Sequence, residues 1–255
     1  MIREIHFIWF QGIAEAPVEL RKVPERWQAL NPGYNIRIWD EPSLFWFLKE
    51  KYPAMVDFYS RIGDGETANI RTIKKCDFVR LLLLHHFGGW YFDLDCLPLH
   101  PLSSLLQSGG VMHRHTEFTY GEYPTVLPPA QLTPVDFESY ELILTREHLP
   151  NIDLGGHSVA NSAIYAAPGS DLLLNLVHAI MLKGRENVLS FAGPHAFSRF
   201  LLDNLSDAKG KVLCLPPFYF LWQEWDMGKA WEHTVCLHMN RMDWGDKTRS
   251  TPWDI

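Results

Sequence analysis

The sequence predicts an α/β protein with a mostly parallel central sheet. Three observations carry this. The first sixty residues alternate strand-like and helix-like patterns. A long apolar helix pattern, "NIRTIKKCDFVRLLLLHHFGG", then runs into the strand-like "WYFDLDCL". The chain has 255 residues, 47% apolar and 21% charged, values of a globular protein with a substantial core.

Residues 4 to 10 read as a buried strand. "PVELRKVPERWQALNPGY" sets Leu20, Val23, Trp27 and Leu30 near helical spacing and stops at Asn31-Pro32-Gly33. "NIRIWD" alternates Ile36 and Ile38 with Arg37, a half-buried strand. "EPSLFWFLKEKY" is helical, with Pro42 in its first turn. The long helix shows a broad apolar face of Ile73, Cys76, Phe78, Val79, Leu82 and Leu83, and Gly88-Gly89 supply a left-handed stop. "WYFDLDCL" follows as one strand. Residues 107 to 150 are rich in Pro, Gly, Thr and Glu and read as loops and short elements. "SDLLLNLVHAIMLK" and "GPHAFSRFLLDNL" read as helices, "KVLCLPP" and "HTVCLHM" as strands.

The formal net charge is −7, with no Lys/Arg block and no basic amphipathic helix. That argues against nucleic-acid partners and against electrostatic docking to a membrane. The four cysteines, Cys76, Cys96, Cys214 and Cys236, contain no CxxC, which suits free thiols in a reducing compartment. "MIREIHFIWFQG" lacks a signal-peptide layout, and no run approaches the roughly 18 apolar residues of a membrane span. A cytoplasmic protein is expected, with peripheral membrane placement left open. The 10 tryptophans serve packing or offer stacking platforms for rings.

Asp93 and Asp95 stand one residue apart in an apolar run, and carboxylates enter such runs when something pairs with them. On a strand, Tyr91, Asp93 and Asp95 face one way as a polar stripe, and Trp90, Phe92, Leu94 and Cys96 face the core. Two carboxylates on one side suit a hard divalent cation, and the cation suits a diphosphate. The other reading is two surface aspartates at a strand end.

The block "KKCDFVRLLLLHHFGGWYFDLDCLPL" resembles the sugar-binding region of glycosyltransferase family 32 and its relatives. That group includes yeast-type α-mannosyltransferases and, distantly, the large clostridial glucosylating toxins. The shared pattern is Ser/Cys-Asp-x-x-Arg on the helix, then Gly-Gly-x-Tyr-x-Asp-x-Asp. "IHFIWFQG", "NSAIYAAPGSDLL" and "FAGPHAF" are similar to further family segments, with Ala192 where Thr is common.

The resemblance implies a GT-A fold, a Rossmann-like α/β sandwich that binds a nucleotide sugar and a divalent metal. The metal is usually Mn2+, with Mg2+ the alternative. It implies one GT-A domain over residues 1–255: a nucleotide-binding half, 1–100, ending in the DXD motif, and an acceptor and donor-closing half, 101–255. It implies a retaining transferase, of the kind used in polysaccharide biosynthesis. The donor would be a UDP-sugar in preference to a GDP-sugar, and the acceptor a glycan, a lipid-linked saccharide or a protein. Carried onto this chain, Trp9 stacks on the base, Asp77 and Arg80 lie near the donor sugar, and Asp93 contacts the ribose, the sugar or the metal through water. Asp95 ligates the metal directly, Asn161 lies near the reacting carbon, and Tyr91 belongs with the donor-binding residues.

The residues bear separate readings too. Asp77 and Arg80, three apart on a helix, can pair, as a structural ion pair or at an active site. Trp9 offers a flat face or fills the core. Asn161 could instead cap a helix. His238 follows a late strand as a further metal ligand or a packed histidine. Trp244 closes over the donor phosphates or sits on the surface, and the polar tail after His238 would order over bound donor. Two competing functions remain: a haloacid-dehalogenase-like phosphohydrolase, where Cys96-Leu97 stands in place of the expected Gly-Thr, and an inactive nucleotide- or sugar-binding module.

Overall fold

A computed structural model of the chain describes residues 1–107, 137–147, 158–183, 186–215, 219–220 and 234–239. Strand β1 (Glu4–Ile8) opens the chain. Helices α1 (Val18–Arg21) and α2 (Val23–Leu30) follow where one helix was expected. Pro24 explains the split, because it has no N–H to donate to Leu20. Strand β2 (Asn35–Trp39) leads to α3 (Glu41–Lys51), whose start is fixed by a capping box. There the Asp40 carboxylate accepts from the Ser43 N–H at 3.0 Å, and the Ser43 hydroxyl accepts from the Asp40 N–H at 2.9 Å. The short α4 (Val56–Arg61) precedes the long α5 (Ala68–Phe87), capped by Thr67. Strands β3 (Gly89–Phe92) and β4 (Cys96–Pro98) and helix α6 (Leu102–Gln107) complete the first part.

Strands β5 (Leu142–Arg146) and β6 (Val159–Ala166) come next, then α7 (Asp171–Met181), α8 (Val188–Phe191), α9 (Pro194–Asp203) and α10 (Leu205–Ala208). Strands β7 (Val212–Leu215) and β8 (Cys236–His238) follow. Six strands form one sheet in the order β2-β1-β3-β6-β5-β7, while β4 and β8 form a separate ribbon. Every strand of the sheet runs the same way except β6, which is antiparallel to both neighbours. Apolar cores cover both faces. Helices α3, α5, α7 and α9 lie on one, with Leu142, Leu144, Ile164 and Ala166 beneath them. Helix α2 covers the other, over Ile5, Phe7, Trp90, Phe92 and Ile143.

Four further sequence expectations change. Strand β2 is the sheet edge, so Ile38 is 40% exposed rather than half-buried. Strand β5 lies inside the stretch read as loops, and Leu142, Ile143 and Leu144 are buried on both faces. Asn161 lies within β6, so it caps no helix. "WYFDLDCL" is two strands joined by a turn, not one. The glycines before it are structural. Gly88 and Gly89 have φ of +66° and +89°, and a Cβ on Gly89 would lie 2.5 Å from the Glu4 carbonyl oxygen. Only glycine lets β3 start this close to β1.

Candidate active site

The chain leaves β1 for β2 on one side and reaches β3 on the other, so the sheet order reverses between β1 and β3. In open α/β sheets ligands bind beyond the carboxyl ends of the strands at such a switch point. The register pairs His6 with Tyr91, which sets Ile8 level with Asp93. Trp9 and the two aspartates therefore leave neighbouring strands at the same edge.

Asp93 ends the sheet pairing by donating its N–H to the Ser162 carbonyl at 2.8 Å. Its own carbonyl accepts from the Cys96 N–H at 2.9 Å, closing a turn over Leu94 and Asp95. The Trp27 indole N–H holds the far side of the turn through the Cys96 carbonyl at 2.9 Å. The Met239 N–H donates to the Asp95 carbonyl at 3.1 Å. The turn sends the two carboxylates to different partners, where a continuous strand would have kept them together. Leu94 and Cys96 do face the core, as the alternation predicted.

Asp93 joins a network centred on Arg80. The guanidinium lies 2.6 Å from Asp77 Oδ1 and 3.1 Å from Asp93 Oδ1, and donates to the Asn161 carbonyl at 2.6 Å. It also sits 4.4 Å over the Tyr91 ring. The Tyr91 hydroxyl donates to Asp93 Oδ1 at 2.7 Å, and the Asn161 amide donates to Asp77 Oδ1 at 3.0 Å. Tyr91 is therefore buried beneath the cation and not part of a solvated stripe. Burial pushes the Asp77 carboxyl up to about 6, with Arg80 and Asn161 pulling down and Asp93 pushing up. Burial likewise raises Asp93, opposed by Arg80 and reinforced by Asp95. Burial opposes the Arg80 charge, but Tyr91, Asp93 and Asp77 outweigh it and hold the cation protonated.

Asp95 turns to the other side. The β4–β8 ribbon places His238 directly opposite Cys96, and His238 Nε2 lies 3.3 Å from Asp95 Oδ1. Burial would lower the imidazole, but Asp95, Cys96 and Asp93 overcome it and raise it to about 10. Two ligands at about 2.1 Å in neighbouring positions around an octahedral ion stand about 3 Å apart. The Asp95–His238 separation fits such an ion, with a carboxylate that suits Mn2+ or Mg2+ and an imidazole that suits Mn2+ of the two. The other DXD carboxylate, Asp93, is engaged by Arg80 and Tyr91.

The structure thus brings Asp77, Arg80, Tyr91, Asp93 and Asn161 into one network and Asp95 and His238 into an adjacent pair. Trp9 is half-buried at the same edge, its N–H donating to the Trp39 carbonyl at 2.9 Å. Its indole N–H is buried with no partner among the described residues. Trp244 and the tail after Met239 lie outside the described residues. Sequence reasoning missed Ser162 and Trp27. Trp27 showed only helical periodicity, and nothing local tied it to the turn. Ser162 is adjacent to Asn161, but its carbonyl, not its side chain, does the work, and a sequence carries no signal for that.

Residues 17–111 match the family described as glycosyltransferase sugar-binding region containing DXD motif. Over 80 residues the chain is 30% identical to a mannosyl phosphorylinositol ceramide synthase of Saccharomyces cerevisiae, covering 29% of this chain and 19% of that protein. Over 92 residues it is 29% identical to inositol phosphoceramide mannosyltransferase 2 of Schizosaccharomyces pombe, covering 33% and 25%. The matched part is thus a quarter or less of either relative's length. Among solved structures, the PaToxG glycosyltransferase superposes with a TM-score of 0.51 at 17% identity, over 80% of this chain and 69% of that one. No described helix is long and apolar enough to cross a membrane. Residues 17–111 are thus similar to the DXD-containing glycosyltransferase sugar-binding family, and the fold that carries this region is GT-A.

Proposed function

We propose that the protein is a metal-dependent, retaining glycosyltransferase that moves a sugar from a nucleotide-sugar donor to a hydroxyl acceptor. The observation that carries the reading is the pair of adjacent constellations at the switch point: Asp95 with His238, and Arg80 with Asp77, Asp93 and Asn161. Asp95 and His238 would hold the divalent ion. When bound, that ion supplies Lewis-acid stabilisation of the charge on the departing diphosphate.

The chain's own residues do the rest. Arg80 fixes Asp77 and Asp93 in place, and Asp93 presents its remaining acceptor capacity to the ribose or sugar hydroxyls. Asn161, tied to Asp77, is positioned beside the reacting carbon. Trp9 borders the base. Both Asp77 and Asp93 are ion-paired to Arg80, which weakens either as a nucleophile. That favours attack by the acceptor hydroxyl on the face the diphosphate leaves, with the leaving phosphate oxygen taking the proton. The same engagement of Asp93 disfavours the phosphohydrolase reading, in which that aspartate is a free nucleophile.

The names of the two yeast relatives favour a mannosyl donor and an inositol phosphoceramide as the first donor and acceptor to test, beside UDP-sugars and glycans. The test is a panel of UDP- and GDP-sugars, GDP-mannose included, assayed for donor hydrolysis with Mn2+ and with Mg2+. Turnover of one donor, abolished by chelator, is expected. Metal-independent phosphate release from simple phosphoesters, or nucleotide binding without turnover of any donor, would replace this reading.

A further inference from the structure

The residue after the second DXD aspartate is a cysteine. Cys96 Sγ, one Asp95 carboxylate oxygen and one His238 ring nitrogen all lie within 4.8 Å of one another. The ribbon register explains the meeting: Cys96 and His238 are direct partners across β4 and β8, and Asp95 immediately precedes Cys96. The thiol now donates to the Ser162 carbonyl at 3.7 Å, a weak contact that a stronger ligand bond would replace.

A site for Mn2+ or Mg2+ gains nothing from sulfur, since these ions take oxygen and, for manganese, imidazole. A carboxylate, an imidazole and a thiol together suit a borderline-soft ion instead. Zinc takes oxygen and nitrogen at about 2.0–2.1 Å and sulfur at about 2.3 Å, in a tetrahedron. That sets the ligand atoms roughly 3.3–3.6 Å apart, so closing the triad around zinc requires shifts of about 1 Å. Such a shift is within reach of a three-residue ribbon separate from the main sheet.

We propose that Asp95, Cys96 and His238 form a zinc-class site with three protein ligands and one open position, so that zinc competes with the hard ion at the DXD turn. The thiol releases its proton to solvent as the sulfur binds. The inference rests on Asp95 and His238 being metal ligands, as in the proposed function, but not on any transfer reaction.

Cobalt(II) tests it, because a cobalt–thiolate bond absorbs in the near ultraviolet and a tetrahedral site gives intense visible bands. The chelator-treated 255-residue chain titrated with Co2+ should show both, and one equivalent of Zn2+ should bleach them. Cys96→Ser should lose the ultraviolet band and at least about tenfold in Zn2+ affinity. Its Mn2+ affinity, followed by electron paramagnetic resonance of the free ion, should change by less than about twofold. Cys236→Ser should keep the band. Should Cys96→Ser fail to fold, zinc X-ray absorption on the wild-type protein should count one sulfur neighbour. Cobalt bound without the ultraviolet band, a band surviving in Cys96→Ser, or a sulfur count of zero or two overturns the site. No cobalt binding at all overturns it together with the metal reading of Asp95 and His238.

Discussion

The Arg80 guanidinium lies 4.4 Å over the Tyr91 ring, and the hydroxyl of that same ring donates to Asp93. The tyrosine therefore meets the cation with its face and the carboxylate with its edge. It fixes the spacing between a charge on α5 and a charge on the turn after β3. Tyr91→Phe keeps the stack and removes only the hydroxyl. It should cost about 1.5–3 kcal/mol of stability, the range for a hydrogen bond to a charged group. Turnover should fall further than that stability loss explains, because Asp93 would be free to rotate. Denaturant unfolding and donor-hydrolysis kinetics, compared at a temperature where both proteins are folded, check it; unchanged kinetics would reduce Tyr91 to a packing residue.

Asp95→Asn should preserve the fold, since this side chain sits on a turn held by backbone bonds through Trp27 and Met239. It should abolish metal-dependent nucleotide binding and lower turnover about 100-fold or more, the scale of losing one preorganised charge stabiliser. Calorimetric titration with nucleotide and Mn2+, alongside the melting curve, checks this. A well-folded, fully active Asp95→Asn protein would remove Asp95 from the site.

Arg80→Ala should be the most damaging single change. It leaves Asp77 buried and both carboxylates without their cation, a loss on the order of 3–5 kcal/mol. Asp77→Ala combined with Arg80→Ala should recover part of that stability and none of the activity. A double variant that regained both would show the pair to be structural only.

His6 supplies a pH dependence. It is fully buried, its Nε2–H donates to the Gly88 carbonyl at 3.1 Å, and its Nδ1 accepts from the Trp39 indole at 3.2 Å. Both ring nitrogens are satisfied only in the neutral form. Burial lowers the imidazole to about 4, although the Gly88 carbonyl and Glu4 act to raise it. The unfolded chain takes up this proton near pH 6.5 and the folded chain only near 4, so stability is full above 6.5 and is lost as pH falls toward 4. The loss amounts to on the order of 3 kcal/mol. The stability difference between wild type and His6→Gln, measured by urea unfolding from pH 7 to pH 4, should narrow across that window. A pH-independent difference would contradict the neutral assignment.

Much of this arrangement was legible because it is local. The apolar face of α5, the Gly88-Gly89 stop and the spacing of Asp77, Arg80, Asp93 and Asp95 all lie between Ile73 and Asp95, and helix and strand periodicity places them. Asn161 and His238 were picked out as isolated residues, but their partners come from far along the chain, through β6 and the β4–β8 ribbon. The turn at Asp93 was missed because it is made by backbone bonds to Ser162 and Cys96, which leave no side-chain pattern. Strand β5 was missed because its apolar run is short and lies among turn-forming residues. Only its place between β6 and β7 makes it a strand.

The hydrogen bond from Trp27 to the Cys96 carbonyl has a practical consequence. That indole is fully buried, stacked on Phe92 with ring centroids 4.1 Å apart, and bonded to the residue that follows the second DXD aspartate. Its N–H proton therefore belongs to a helix distant in sequence from the ligands yet is fixed to the turn that presents them. In a proton–nitrogen correlation spectrum it is an internal spectroscopic probe, assignable by Trp27→Phe. Its resonance should move when an ion reaches Asp95 and stay still when a ligand merely touches the sheet edge near Trp9.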